Sequence, residues 1–157
     1  MKRFFKFVCF VSIMATCLIC MVGVCGCGAH ENSENSIMCK YLEVSTIKNV
    51  DDGKGIMIKG RTELLDAIDG VKEEDIAEYN DDFFKEKTLI VIQIVEYYKP
   101  SRSEVKSYSV SGQTLTVRIE QTQSGDGAAM SYWYFMLEIS NDEIEGVDTI
   151  KIDRSRL

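Results

Sequence analysis

Histidine, proline and tryptophan occur once each in this chain of 157 residues. The single histidine, His30, sits in a polar stretch near the N-terminus. Ser-His, Cys-His and multi-histidine zinc chemistry therefore have no base or ligand set to draw on. Basic clusters are also missing, and 18 Lys and Arg stand against 25 Asp and Glu. A chain with a net charge of −7 and no basic patch has no electrostatic footprint for nucleic acid. From Phe7 to Ala29 there is no charge at all.

That uncharged run follows Lys2, Arg3 and Lys6, and FVCFVSIMATCLICMVGV within it approaches the ~20 apolar residues needed to cross a bilayer. Its end, Val24-Cys25-Gly26-Cys27, resembles the lipobox of bacterial lipoproteins. The resemblance implies a cleaved signal peptide over residues 1–26 and a diacylated Cys27 at the new N-terminus. Two acyl chains hold a protein stably where one gives only marginal binding. The alternatives are an uncleaved single-pass anchor with its basic end inside, or a secreted form. The first two readings place the remaining 130 residues after Cys27 on the outer, extracytoplasmic face. Loss of three positive charges with the leader takes the net charge from −7 to −10.

The leader also settles the cysteine arithmetic. Cys9, Cys17, Cys20 and Cys25 leave with it and Cys27 carries lipid, so Cys39 alone remains and no internal disulfide framework is expected. Residues 27–36 read as the lipidated Cys and a flexible polar tether, spanning at most ~30 Å at about 3.3 Å per residue.

Residues 37–157 read as one domain, a size that supports one core. Leu42, Val44 and Thr46 share a parity and predict a strand over residues 41–50, with Asp51-Asp52-Gly53-Lys54-Gly55 turning into Ile56-Met57-Ile58 as a hairpin. The DDGKG run lacks the spacing of a phosphate loop. Leu64, Leu65 and Ile68 predict a helix over residues 61–69, with Thr62 near its N-cap and Gly70 at C′. A second helix is predicted over residues 73–84, its acidic face solvated because the alternating ligands of a calcium loop are absent. Residues 89–95 are apolar on both parities, as a strand covered on both sides requires. A weaker strand signal follows over 104–111, then a turn at Ser111-Gly112 and a cleanly alternating strand over 113–121 with Leu115, Val117 and Ile119 inward, and an open loop at residues 124–127. Over 131–140, Trp133, Phe135, Leu137 and Ile139 share one face and Tyr132, Tyr134 and Met136 the other. A last strand runs through Ile150 and Ile152. The expected fold is α+β, mainly an antiparallel β-sheet of six or seven strands with two short helices packed on one face.

No motif for a metal or cofactor is present, and no catalytic residue is assigned. Ser124, Asp126 and Trp133 do not match a sialidase-type aspartate box in spacing, and paired carboxylates remain the one catalytic alternative. The positive clue is aromatic. Tyr97-Tyr98 closes one strand and Tyr132-Trp133-Tyr134 opens another, so Tyr97, Tyr98, Tyr132 and Tyr134 are the candidate binding surface if those strands are neighbours. Trp133 and Phe135 are expected in the core.

Tyr79-Asn80-Asp81-Asp82-Phe83-Phe84, the strand at 89–95, the Gly112 hairpin and Trp133 with Phe135 to Ile139 follow in an order that resembles small bacterial lipoproteins with a PrcB-type C-terminal domain. The resemblance spans residues 79–139. It implies a noncatalytic module that binds and stabilises a surface protease complex. The chain carries Lys99-Pro100-Ser101-Arg102-Ser103 where that family has a small Gly/Ser-rich hairpin. Three functions follow as expectations: a membrane-anchored protein-binding module, a small-ligand-binding lipoprotein, and a small envelope hydrolase using paired acids.

Overall fold

A computed structural model describes residues 37–45, 47, 51–97, 102–122 and 130–156. The predicted leader, Cys27, His30, Tyr98 and the loop at 124–127 lie outside the described residues. Seven strands run in the order β1 (Cys39–Val44), β2 (Gly55–Ile58), β3 (Lys87–Glu96), β4 (Arg102–Ser111), β5 (Thr114–Thr122), β6 (Ser131–Ser140) and β7 (Thr149–Arg156), with helices α1 (Arg61–Ala67) and α2 (Asp81–Glu86) between β2 and β3. The fold is α+β, as the periodicities require.

The strands form two sheets where one was expected. An antiparallel sheet of order β1-β6-β3-β2 lies against a smaller sheet of order β4-β5-β7. In the smaller sheet β4 and β5 are antiparallel, and β5 and β7 run parallel from Thr114↔Thr149 to Gln121↔Arg156. The predicted hairpin of β1 with β2 does not form. β1 pairs with β6 and β2 with β3, placing the two at opposite edges of their sheet. The glycine-rich turn is nonetheless real: Lys54 N–H donates to the Asp51 carbonyl, and Gly53, at φ 81°, donates to the Gln93 carbonyl. That last bond docks the turn on β3 rather than on β1.

Alternation explains how the layers stack. Ile90, Ile92 and Ile94 of β3 and Phe135, Leu137 and Ile139 of β6 point one way and meet Val105, Leu115, Val117 and Ile119 of the smaller sheet. Leu89 and Val91 of β3, with Tyr134 and Met136 of β6, point the other way and meet Leu64, Ile68, Ile76 and Tyr79. The central strands are thus apolar on both parities because they are covered on both faces. On the far side of β5, Thr114, Thr116, Arg118 and Glu120 form the polar outer face. Close approach of the layers is visible at Gly55, where a Cβ would come within 2.7 Å of Ile150 Cγ2.

The helical segment is shorter and more broken than its periodicity suggested. α1 is capped by Gly60 rather than Thr62, and the Glu63 carboxylate accepts from the Lys59 N–H at 2.8 Å. Gly70 does take a positive φ of 69°, but it falls beyond the C-cap at Ile68. The second predicted helix divides into a 3₁₀ turn (Glu73–Ile76) and α2. Asn80 causes the division: its backbone is extended and its Oδ1 accepts from Asp82 N–H and Phe83 N–H, both at 3.0 Å, starting a new helix. The acidic face pairs with surface cations, including Lys40 with Glu78 at 2.9 Å and Lys85 with Asp82 at 2.6 Å.

Candidate functional site, a cleft between the sheets

At the end where β3 leads toward β4, the inward-facing series of four strands turn from apolar to polar. The series of β3 reads Ile90, Ile92, Ile94, Glu96, and that of β6 runs back from Ile139 to Phe135, Trp133 and Ser131. β4 contributes Ser103 before Val105, and β5 contributes Gln121 after Ile119. Glu96, Ser103, Gln121 and Ser131 are all buried. Register pairs Glu96 with Ser131 in one sheet and Ser103 with Gln121 in the other. Below this layer the bulge at Lys106, between Val105 and Ser107, resets the parity of β4, so that Tyr108 and Val110 again face the core.

The sheets part here around a cleft of about 410 Å³ lined by Tyr41, Glu96, Arg102, Ser103, Glu104, Trp133 and Phe135. Its wall is aromatic. The Tyr41 and Phe135 rings meet edge to face with centroids 4.7 Å apart, a favourable quadrupole arrangement. Tyr41 is held across the sheets by the Val105 N–H, which donates to its hydroxyl at 3.1 Å. Trp133 donates its ring N–H to Ser131 Oγ at 3.1 Å, which fixes the indole. Glu96, only 4% exposed, accepts from the Ser103 N–H at 2.7 Å. Among the described residues no cationic side chain pairs with the Glu96 carboxylate, and the buried Ser103 Oγ has no hydrogen-bond partner.

The aromatic residues singled out from sequence separate into different environments. β3 and β6 are neighbours, with Val95 opposite Tyr132, so the condition for a shared rim is met. Tyr97 stands 48% exposed at that end, and Tyr132 is partly buried against the helix-side core. Tyr134 is not part of a rim. It is 1% exposed, and its hydroxyl accepts from the Asp69 N–H at 3.0 Å under the helical layer. Phe135 is buried, as expected. Trp133 is only half-buried, because its indole lines the cleft. Sequence reasoning missed Tyr41, Glu96 and Ser103. Parity carried a signal for the last two: Glu96 continues the inward series of β3, and Ser103 lies two residues before Val105.

Two other depressions differ in chemistry. One of about 440 Å³ is lined by Asp51, Lys54, Asp66, Asp69 and Gln93, where Lys54 already pairs with Asp51 at 3.1 Å. One of about 290 Å³ lies beside Phe84, Thr88, Asn141 and Glu145, and there Asn141 is bonded to Thr88 and to the α2 carbonyls. In both, part of the polar lining is engaged in structural contacts. Among the described residues, no group of three or more His, Cys, Asp or Glu side chains is placed to hold a metal ion.

Behind the aromatic wall, burial pushes the Cys39 thiol up from 9.0 to about 12. Burial, then the neighbouring Cys39, raises Tyr41 from 10.0 to about 12, and burial followed by a hydrogen bond to Glu143 does the same for Tyr108. Each group is favoured in its neutral form by folding. Their stabilisation is therefore complete below about pH 9 and is lost as pH rises through about 12. The urea midpoint is expected to hold steady from pH 7 to 8.5 and to fall between pH 9 and 11. The well-buried Cys39 contributes at most about 1.4 kcal/mol per pH unit to that fall, and the more exposed Tyr41 and Tyr108 contribute less because solvent screens them. A midpoint flat to pH 11 would contradict the placement of these side chains.

Comparison with protein-family models, with curated proteins and with solved structures finds no match for this chain.

Proposed function

We propose that the chain is a membrane-anchored extracytoplasmic lipoprotein whose domain is a noncatalytic binding module, and that it binds through the cleft between the sheets. The observation that carries this reading is an aromatic wall set over a buried carboxylate with no cationic partner among the described residues. Aromatic rings give rigid contact area at small entropic cost, and a buried polar group that lacks a full set of partners gains most from a ligand that supplies them. The lipobox resemblance supports the outer face of the membrane as its location. The resemblance to PrcB-type lipoproteins supports an envelope protein, such as a surface protease complex, as the partner.

The small-ligand reading draws on a specific observation as well, since about 410 Å³ falls within the range of ligand pockets, roughly 300–1,000 Å³. The hydrolase reading draws less support. Glu104 is the second acid of the cleft, but its hydrogen bond and charge interaction with Lys106, 2.8 Å away, hold its carboxyl below the usual value. A general acid needs the opposite shift.

Chemical crosslinking on intact cells followed by mass spectrometry tests the proposal. Wild-type protein should yield a reproducible adduct, and Trp133→Ala, which strips the wall and frees Ser131 Oγ but keeps Glu96 and Ser103, should lose most of it. Equal adduct yield from both proteins, or none from wild type, would count against the cleft as the binding surface.

A further inference from the structure

We infer that the cleft recognises an alkylammonium group, with Glu96 as its counter-ion and Trp133, Tyr41 and Phe135 as its aromatic wall. The inference rests on the cleft being the binding surface and names the chemistry that fills it. The buried polar side chains of the lining are an acceptor and a hydroxyl, the Glu96 carboxylate and Ser103 Oγ, with the Tyr41 hydroxyl, which already accepts from the Val105 N–H, beside them. An ammonium head supplies up to three donors and a positive charge, while its alkyl stem suits the apolar wall.

Burial sharpens the argument. A carboxylate that is 96% buried is costly unless paired, and the Ser103 N–H is a neutral donor that satisfies only part of its capacity. Arg102 lines the mouth but does not reach Glu96 within ion-pair distance. A cation entering the cleft would complete the carboxylate, give Ser103 Oγ a donor, and gain the face attraction of the indole. An anionic or neutral ligand of equal size would meet an uncompensated negative charge instead. The net acidity of the chain adds a long-range attraction for cations in the same sense.

Trp133 is the sole tryptophan of the chain, so its fluorescence reports the cleft without labelling. The full-length protein in neutral detergent is titrated with n-butylammonium, n-butanol and butyrate at fixed ionic strength, then with N-acetyl-lysine methylamide. Butylammonium should give a saturable change, and butanol and butyrate a response at least tenfold weaker. Glu96→Gln should weaken butylammonium binding at least tenfold. The Gln side chain keeps an oxygen for the Ser103 N–H, and an unchanged emission spectrum without ligand confirms that the wall is intact. Blocked lysine binding as well as butylammonium identifies the group as a protein's lysine side chain. Binding of the free amine alone identifies a small cationic ligand. Either result supports the assignment of an alkylammonium. Equal responses to the three probes, or an affinity untouched by Glu96→Gln, would overturn it. If Trp133→Ala still abolishes the cellular adduct in that case, the cleft remains the binding surface and only the ligand class fails.

Discussion

Replacing Phe135 by Ala is expected to destabilise the domain by about 3–5 kcal/mol, the range for a buried aromatic truncated to a methyl. Phe135 is 1% exposed, lies in the core between the sheets, packs edge to face on Tyr41, and also closes the floor of the cleft. One substitution therefore removes transfer free energy, leaves a cavity between the sheets, and frees the ring that positions Tyr41. Such a loss is a large share of the 5–15 kcal/mol by which domains are usually stable. Urea denaturation should show a much lower midpoint with an unchanged slope, because the surface exposed on unfolding is nearly the same. A loss below about 1.5 kcal/mol would mean that Phe135 is not a principal contact between the layers.

Cys27→Ser should have an all-or-none effect on acylation. If Cys27 carries the lipid, wild-type protein labels with radioactive palmitate and migrates as the processed form. The variant should then neither label nor lose its leader, and should migrate more slowly. Localisation is the weaker readout, because an uncut apolar leader would still hold the variant at the membrane. Labelling is decisive: each buried CH₂ contributes ~0.8 kcal/mol, so two acyl chains make a stable anchor and their absence changes the nature of the attachment. A wild-type protein that takes up no palmitate would overturn the lipid anchor and leave a retained span or a secreted form.

Much of the architecture was legible because parity is a local property. The double-sided apolarity of residues 89–95 correctly marked a central strand, and the bounds of β6 and the two faces of its residues follow from simple alternation. What parity does not encode is which distant strand supplies the neighbour. β1 reads as half-buried whether it pairs with β2 or with β6, and the short turn at Gly53 favoured the nearer partner. The hydrogen bonds of that turn to Gln93, forty residues away, decided otherwise. The parallel pairing of β7 with β5 was hidden for the same reason, since β6 and a 3₁₀ turn (Asn141–Ile144) intervene. Two sheets instead of one follow directly from these pairings.

The candidate site was less legible than the fold. Sequence reasoning sought exposed tyrosines at strand ends, and Tyr134 belonged to that pattern, yet its ring is core and its hydroxyl is a structural acceptor. The informative signal was quieter: acids and hydroxyls at positions where alternation demands apolar side chains. Glu96 and Ser103 break the inward series of β3 and β4 at the same end of the sandwich. A polar residue at an inward position carries a desolvation cost, so a layer of four is more telling than any number of exposed rings. Recognising that layer requires knowing that the two sheets face each other, and this is a tertiary fact.

The binding claim is tested most directly by position-resolved photocrosslinking on intact cells. A photoreactive residue is placed at Tyr41 in the cleft or at Thr116 on the polar outer face of the smaller sheet. The account predicts a discrete adduct from position 41, competed by an excess of butylammonium, and none from position 116. An adduct from position 116 alone, or equal adducts from both, would contradict it.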